Sequence, residues 1–268
     1  MRFTYAEAMT QASYYAPLAQ AAEAAGYTSM TVADSLIYPE SSDSKYPYTD
    51  TGDREFLDGK EFIETMVLCA HLFAHTTTLR LTPFVLKLPV RPPVLVAKQA
   101  SSLAFLSNNR LGLGVGLSPW PEDFAALGVP WEKRGKRMDE CMDILKGLTT
   151  GEFFSYSGEF YEIESLKQCP GAPSPIPLLV GGHVDAALRR AAPLAHFGEH
   201  DRHLGAHIGI VHRRRHQAPG GQGRHRLHRR LPRALHQGPR HRAARDEDQA
   251  PRAVRRERHR QGQRLSRG

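Results

Sequence analysis

Short apolar runs alternate with longer amphipathic stretches through the first 195 residues of the chain. The apolar runs predict five β-strands, at residues 2–6, 29–33, 79–86, 111–117 and 176–180. These runs are continuous rather than alternating, which is typical of strands that are buried on both faces. The pattern therefore predicts a parallel sheet.

The stretches between the strands carry apolar residues three and four positions apart, which predicts helices. The helices lie at residues 13–25, 60–75, 92–107 and 132–148, and a fifth begins at residue 184. In the second helix we expect a buried face made of Phe62, Ile63, Met66, Val67, Ala70 and Phe73. An insertion at residues 153–163 predicts a β-hairpin around Ser157 and Gly158.

A strand followed by a helix, five times in succession, predicts an α/β fold. Five units in 195 residues take about 39 residues each, so eight units need about 310, close to the length of a (β/α)8 barrel. We therefore predict an incomplete (β/α)8 TIM barrel at residues 1–195, with about five units recognisable. Residues 196–268 form a separate, disordered basic tail in this prediction.

The predicted tail differs in composition from everything before it, with 19 Arg, no Lys and 11 of the 14 His. Residues 1–195 hold 17 basic and 22 acidic side chains, a net charge of −5, and the tail holds 19 and 6, a net charge of +13, which together make +8. The tail also holds too few Leu, Ile, Val and Phe residues to bury a core. We interpret the tail as a frameshift close to Ala195. The alternative is a natural arm that binds nucleic acid through its phosphates, but a single aromatic residue, Phe197, argues against base stacking.

Three widely spaced cysteines, Cys69, Cys141 and Cys169, form no CxxC motif and no disulfide framework. Cys69 and Cys141 lie in helical apolar patterns, so we expect them in the core. The chain enters a strand pattern directly, without a signal peptide. No apolar run reaches the roughly 18 residues of a membrane helix. These observations predict a soluble, cytoplasmic protein with no membrane partner.

Candidate functional residues lie where the predicted strands end, because parallel α/β folds gather their active sites at the carboxyl ends of strands. Asp34 follows the second strand and is suited to bond a ring nitrogen or polar substrate, or to cap a turn. Lys87 ends the third strand and faces either an anion or solvent. Gly181 and Gly182 precede a helix, where free N–H groups and the helix dipole favour a phosphate, although a tight turn needs equally small residues.

Three alternating glycines, Gly112, Gly114 and Gly116, superficially match a dinucleotide-binding fingerprint. Pro119 and Pro121 follow them, so the glycines do not open a helix, as that fingerprint requires. We expect them instead inside a barrel strand, where a bulky ligand packs against the backbone.

Other catalytic signals are weak. His71 and His75 lie four residues apart on one predicted helix, which permits metal binding, but without a third ligand we expect them at the surface and predict no metal site. Ser118 lies in GLSPW rather than in a GxSxG elbow, so it is not a nucleophile candidate. The catalytic residue stays unassigned.

Taken together, five segments resemble the bacterial luciferase-like monooxygenase family, in particular its branch that depends on the deazaflavin coenzyme F420. The segments are AAEAAGYTSMTVADSLIYP (21–39), TPFVLKLPVRPPVLVAKQASSL (82–103), NRLGLGVGLSPWPEDFAALGVPWEKRGKRMDE (109–140), GEFFSYSGEFYEI (151–163) and PIPLLVGGHVDAALRRAA (175–192). The resemblance covers nearly all of residues 1–195. It implies a (β/α)8 barrel with a flavin or deazaflavin in its mouth.

The resemblance also implies which residues hold the cofactor. An acid after the second strand contacts the ring in such enzymes, and Asp34 matches it, followed here by Ser35 where some relatives have His. A non-prolyl cis peptide in the third strand forms a bulge behind the ring, and the matching place is Pro83–Phe84, with Val85 beside it. The remaining matching positions are Gly116 and Ser118 in the fourth strand, and Gly181, Gly182 and His183 after the fifth.

The chemistry that the resemblance implies is hydride transfer between reduced coenzyme F420 and a small organic substrate. The alternative is an FMN-dependent monooxygenase of the same fold. Dimerisation is common in such barrels, so the resemblance also implies a homodimer. The family continues after Ala195 with three more strand units that help to hold the cofactor, so we expect this chain to bind it weakly.

Overall fold

The computed structural model describes residues 2–7, 9–46, 50–182 and 184–192, and the predicted tail lies outside these ranges. Its barrel strands are β1 (Thr4–Ala6), β2 (Ser29–Val32), β3 (Arg80–Pro83), β4 (Leu86–Lys87) and β5 (Leu113–Gly116), followed by β8 (Leu178–Val180). All are parallel, in the orders β1-β2-β3 and β4-β5-β8. A parallel bridge between Leu81 and Leu111 joins the two groups. The predicted third strand is therefore present as two pieces, β3 and β4.

Helices connect the parallel strands in chain order. They are α1 (Tyr15–Ala24), α2 (Thr65–His75), α3 (Pro93–Leu106), α4 (Pro121–Ala126), α5 (Arg134–Leu148) and α6 (Asp185–Ala191), with short 3-10 turns at Ala12–Tyr14, Glu55–Leu57 and Leu88–Val90. Strand, helix and adjacent parallel strand recur as in the first five units of a β/α barrel, which confirms the predicted α/β fold. Among the described helices, none has the length and apolar character needed to cross a membrane.

The core lies between the strands and the helices that cover them. Strand residues that are fully or almost fully buried include Met30, Val32, Leu81, Leu86, Leu113 and Val115. On α5, Met138, Met142, Leu145 and Leu148 lie three and four residues apart and are all buried. Cys69 and Cys141 are also buried, as predicted, and burial raises the pKa of both thiols.

The predicted buried face of the second helix is partly wrong. Helix α2 begins at Thr65, where the Glu64 carboxylate caps it by accepting a hydrogen bond from the Val67 N–H (2.9 Å). Its buried residues are Thr65, Met66, Leu68, Cys69, Leu72 and Phe73, whereas Val67 is 60% exposed. The run MVLCAHLFA is apolar on more than one side, so periodicity alone could not select the side that meets the sheet.

The predicted hairpin is present as β6 (Phe154–Ser157) and β7 (Glu162–Leu166), which pair in antiparallel fashion. The Glu140 carboxylate on α5 accepts hydrogen bonds from three successive N–H groups of the hairpin loop, at residues 159–161 (2.8, 3.0 and 3.2 Å). This contact ties the insertion to α5 in the outer layer of helices.

Candidate functional site

The candidate site lies at the carboxyl ends of the barrel strands. The Phe84 N–H donates to the Val32 carbonyl (2.8 Å), and the Gly181 N–H donates to the Val115 carbonyl (2.8 Å). Lys87 lies opposite Gly116 in the pairing of β4 with β5. These contacts bring the ends of four neighbouring strands to one edge, so the residues that follow them form one surface.

Asp34, just after β2, is almost completely enclosed by protein groups. Its side chain is 1% exposed, and its two oxygens accept hydrogen bonds from both terminal nitrogens of Arg91 (2.7 and 2.9 Å). The Thr65 hydroxyl (2.7 Å) and the Lys87 N–H (2.8 Å) donate to the same carboxylate. A carboxylate has about four acceptor positions, so a ring N–H could bond Asp34 only by displacing one of these donors.

Lys87 forms a second buried ion pair with Asp123, in the first turn of α4. The Lys87 ammonium lies 2.7 Å from the Asp123 carboxylate, and the two side chains are 7% and 1% exposed. The Ser118 hydroxyl also donates to Asp123, and it accepts from the Trp120 N–H (3.0 Å). Lys87 was expected to face either an anion or solvent. It faces an anion, which is the carboxylate of Asp123 in the protein itself.

Val85 packs between two glycines at the ends of β5 and β8. An added Cβ at Gly116 would lie 2.7 Å from one Val85 methyl group, and one at Gly181 would lie 2.6 Å from the other. Any side chain at either glycine would therefore collide with Val85. We call the surface formed by Val85, Gly116 and Gly181 the Val85 platform.

The structure contains a non-prolyl cis peptide bond in the predicted third strand, but one bond later than expected. It joins Phe84 to Val85, not Pro83 to Phe84. The bond lies in the interruption between β3 and β4. Pro83 is the last residue of β3, and the Phe84 side chain is 56% exposed.

The expectation that a ligand packs against the other strand-four glycines is wrong. An added Cβ at Gly112 would lie 2.9 Å from the Thr82 hydroxyl, and one at Gly114 would lie 2.1 Å from the Pro83 carbonyl oxygen. The neighbouring strand β3 fills the space, so these glycines permit close packing within the sheet. The glycines also do not open a helix, as a dinucleotide-binding fingerprint requires, because residues 117–120 separate β5 from α4.

The remaining predicted site residues are Ser35, Gly182 and His183. Ser35 is half-buried beside Asp34. Gly182 has a φ of +133°, and an added Cβ would lie 2.7 Å from Ala187, so the turn into α6 itself requires glycine. This turn is compatible with both the phosphate and the tight-turn interpretations. His183 lies outside the described residues.

The long connection between β2 and α2 reaches across to the start of α4. The Tyr46 ring stacks on Trp120 (centroids 5.4 Å apart), and the Arg54 guanidinium lies 4.3 Å from the centre of the same indole. Arg54 also pairs with Glu122 (3.5 Å). Burial raises the pKa of Glu122, but hydrogen bonds from Ser42 and the charge of Arg54 outweigh it and lower that pKa. The connection therefore covers Trp120 at one side of the mouth.

Three members of this site, Arg91, Asp123 and Thr65, were not predicted from the sequence. Arg91 lies in the second resembling segment, just before α3, and Asp123 lies three residues after Trp120. Their burial was the missing signal: an Arg and an Asp that are enclosed by protein require partners of opposite charge. No sequence motif at Arg91 or Asp123 indicates which residue is its partner.

Metal binding finds no support in the residues that the structure describes, which contain no group of three or more His, Cys, Asp or Glu suited to hold an ion. His71 and His75 lie on the exposed side of α2, with ring centres 4.5 Å apart.

Residues 3–198 match the sequence model of the family described as luciferase-like monooxygenase. The chain belongs to this family. Its members are oxidoreductases and monooxygenases that depend on F420 or FMN. The barrel described above is therefore a luciferase-like barrel, with five of its units recognisable among the described residues.

Individual relatives agree with this assignment. The chain is 67% identical over 192 residues to the uncharacterised protein Mb0965c of Mycobacterium bovis, which covers 72% of this chain and 67% of that protein. It is 32% identical over 119 residues to a 5,10-methylenetetrahydromethanopterin reductase of Archaeoglobus fulgidus, covering 44% of this chain and 35% of the relative. The fold resembles the F420-dependent tetrahydromethanopterin reductase of Methanopyrus kandleri (TM-score 0.55, 16% identity, 71% of this chain and 52% of that one). The chain thus spans about two thirds of the mycobacterial relative and about half of the solved structure.

Proposed function

We propose that the mouth of this barrel binds coenzyme F420 and that the protein transfers a hydride between this cofactor and a small organic substrate. The observation that carries the proposal is the Val85 platform. Val85 packs against Gly116 and Gly181, and neither glycine carries a side chain, so Val85 and the exposed Phe84 ring supply the apolar side-chain surface at these strand ends. A flat redox ring requires an apolar surface of this kind with few projecting side chains.

The chemistry of the surrounding groups fits a ring cofactor. Asp34 pairs with Arg91, and Asp123 pairs with Lys87, so the four buried charges next to the platform neutralise one another. An uncharged ring therefore meets no unpaired charge from these four side chains. We expect the Gly181–Gly182 turn to hold the cofactor phosphate, because backbone N–H groups at a helix start favour anions. The Gly181 N–H already donates to the Val115 carbonyl (2.8 Å), so in this proposal the phosphate meets the N–H groups from Gly182 onward.

The choice of F420 over FMN rests on the family relationship. The five segments named above resemble the F420-dependent branch. The family description as monooxygenases makes FMN the alternative cofactor. When bound, either cofactor supplies the electron-transfer chemistry, while the protein positions the reactants and excludes water.

The residues of this chain have supporting roles in the proposal. Val85 supports one face of the ring, and the contacts of Asp34 and Lys87 hold the strand ends beneath it. The stack of Tyr46 and Arg54 on Trp120 shields one side of the mouth from water. The assignment of Asp34, Ser35, Ser118 and His183 to direct cofactor contact stays a prediction.

We also propose that residues 196–268 are translated out of frame and that residues 1–195 are the barrel part of the chain. Three further strand units would then follow in the correct frame. We therefore expect correction of one base near codon 195 to strengthen cofactor binding. We expect the corrected chain, rather than the chain as it stands, to form the homodimer.

Titration of F420 and FMN into the 268-residue chain and the frame-corrected chain tests these proposals, with cofactor fluorescence as the signal. We expect micromolar F420 binding by the corrected chain and at least about tenfold weaker binding by the chain as it stands, a difference of about 1.4 kcal/mol. Failure of the corrected chain to bind either cofactor would overturn the proposed function.

A pair of matched variants then tests the platform. Val85→Asp introduces a charge into the proposed ring surface, so we expect it to abolish F420 binding by the corrected chain. Val67→Asp introduces the same charge at an exposed position on α2 and serves as the control, with binding unchanged. Equal affinity of the two variants would show that the ring lies elsewhere.

A further inference from the structure

One residue, Lys87, joins the ends of three strands. Its backbone N–H donates to Asp34, which follows β2 (2.8 Å), and its carbonyl accepts from Arg91 (3.1 Å). Its ammonium group pairs with Asp123 in α4, the helix that follows β5 (2.7 Å). Lys87 itself ends β4.

Asp123 extends this connection to the end of β5. It accepts a hydrogen bond from the Ser118 hydroxyl, and that hydroxyl in turn accepts from the Trp120 N–H (3.0 Å). The loop between β5 and α4 is therefore bonded, through Asp123, to the same lysine that bonds the loop after β2. We call the set Asp34, Arg91, Lys87, Asp123 and Ser118 the mouth network.

Stability alone gives a poor reason for this arrangement. Lys87 and Asp123 are almost fully buried, and removal of two charges from water costs much of what their attraction returns. Replacement of such a pair by apolar residues of similar size is often neutral or stabilising. The Lys87–Asp123 pair is therefore better suited to fix the relative positions of the strand ends than to stabilise the fold.

The geometry that the pair defines is that of the Val85 platform. Val85 lies two residues before Lys87 in the chain, and Gly116 lies directly opposite Lys87 in the β4–β5 register. A displacement of Lys87 toward or away from Asp123 therefore shifts two of the three members of the platform, Val85 and Gly116, together. The backbone bond from Lys87 to Asp34 prevents the same segment from moving toward solvent.

We propose that Lys87, through its pairing with Asp123, is a positioning residue that holds the Val85 platform at the position required for the cofactor ring. This inference rests on the proposed function for the identity of the ring, but the positioning itself is a property of the protein alone. It also assigns Asp34 and Ser118 a structural task in the mouth network.

The test compares four forms of the full 268-residue chain by hydrogen exchange: wild type, Lys87→Met, Lys87→Met with Asp123→Asn, and Arg110→Met. The double variant holds no unpaired buried charge, and its Asn oxygen still accepts from Ser118. Arg110→Met is the matched control, because Arg110 is a partly buried cation at the opposite end of the barrel. Exchange is compared with that of the β1 amides in the same variant, so that a general loss of stability cancels. We expect exchange at residues 85–88 and at Ser118 and Trp120 to accelerate about tenfold or more relative to β1 in both Lys87 variants but not in the control.

The double variant separates positioning from stability. We expect its thermal midpoint to return near that of the wild type while exchange at the strand ends stays fast. Wild-type exchange rates in the folded double variant would overturn the proposal, and so would equal acceleration at the strand ends in Arg110→Met. If Lys87→Met alone does not fold, the double variant still decides the question.

An F420 titration of the frame-corrected chain, with the same substitutions, links the result to the cofactor. We expect the double variant to bind at least about tenfold more weakly than Arg110→Met does. A wild-type corrected chain that binds neither F420 nor FMN would refute the proposed function alone, because the exchange comparison needs no ligand. Equal F420 affinity of the double variant and the control would contradict the positioning role.

Discussion

The two ends of the barrel stabilise charged side chains in different ways. At the amino-terminal end, Glu23 and Arg110 are bonded to neutral groups. The Glu23 carboxylate accepts hydrogen bonds from the N–H groups of residues 77–79, at distances from 2.5 to 3.1 Å. Arg110 donates to the carbonyls of Phe73, Leu79 and Ser107 and to the Thr76 hydroxyl.

At the carboxyl end, by contrast, charges are bonded to opposite charges. Arg91 pairs with Asp34, and Lys87 pairs with Asp123. Backbone groups are always present and cannot be exchanged by a single substitution, whereas each member of an ion pair depends on its partner. At the amino-terminal end, most bonding partners are therefore backbone groups that a substitution leaves in place, whereas the arrangement at the carboxyl end depends on pairs of side chains.

The largest effect that we expect from this difference is that of Lys87→Met. The substitution leaves the Asp123 carboxylate buried without its counter-charge, which costs about 3–5 kcal/mol in the free energy of unfolding. Urea denaturation measures the loss. Addition of Asp123→Asn to the variant should restore most of it, and a double variant as unstable as the single one would contradict the ion-pair interpretation.

At the opposite end, Arg110→Met should cost about 3 kcal/mol, because several carbonyl oxygens lose a charged donor. No single substitution can remove all of the unsatisfied acceptors, since three of the four are backbone carbonyls. Urea denaturation of Arg110→Met, alone and combined with Lys87→Met and Asp123→Asn, measures this loss. The losses in the free energy of unfolding at the two ends should be additive. Strong coupling between the two ends would remove the distinction drawn here.

An intermediate effect is expected for Gly116→Ala, which tests the packing of the Val85 platform. The added methyl group would lie 2.7 Å from a Val85 methyl group, so overpacking should cost about 2 kcal/mol. Val85→Ala in the same chain removes the colliding atom and should recover part of the loss. A double-mutant cycle on thermal unfolding measures the coupling, and a coupling near zero would show that the two side chains do not meet.

The smallest effect concerns pH and Glu23. Burial raises the pKa of Glu23, but hydrogen bonds from the Thr78 and Leu79 N–H groups outweigh it and lower the pKa to about 2. The folded protein then holds this proton less tightly than the unfolded chain, so Glu23 contributes stability above about pH 4.3 and loses it as pH falls toward 2. Because water reaches the carboxylate, we expect only about 1 kcal/mol.

Glu23→Gln provides the measurement for this last prediction. The variant should be less stable than the wild type at pH 7, and the difference should shrink between about pH 4 and pH 2. A difference that is constant over this range would show that the carboxylate charge contributes nothing to the amino-terminal end.

Much of the fold followed from local pattern. The five continuous apolar runs predicted the parallel strands, and the helical spacing predicted the helices between them. The face of α2 did not follow, because its apolar residues surround the helix and Glu64 sets where it begins. The split of the third strand into β3 and β4 was also missed in its detail, since the resemblance indicated the bulge one bond too early.

The candidate site was predictable in its position but less so in its interactions. The carboxyl ends of the strands follow from a parallel topology, so Asp34, Lys87 and Gly181 could be singled out from the sequence pattern alone. The partner of Asp34 could not be predicted from the sequence, because Arg91 is 57 residues away in the chain. The reason for the glycines of β5 also required the neighbouring strand, which fills the space that a ligand was expected to take.

The sequence by itself determined the strands, their parallel order and the end of the barrel where polar residues gather, because periodicity and chain connectivity act over short distances. The tertiary structure alone decided that Asp34 is enclosed, that Lys87 meets Asp123, and that Val85 occupies the gap between two glycines. Each of these depends on the register of neighbouring strands, and register emerges only when distant segments pack against one another.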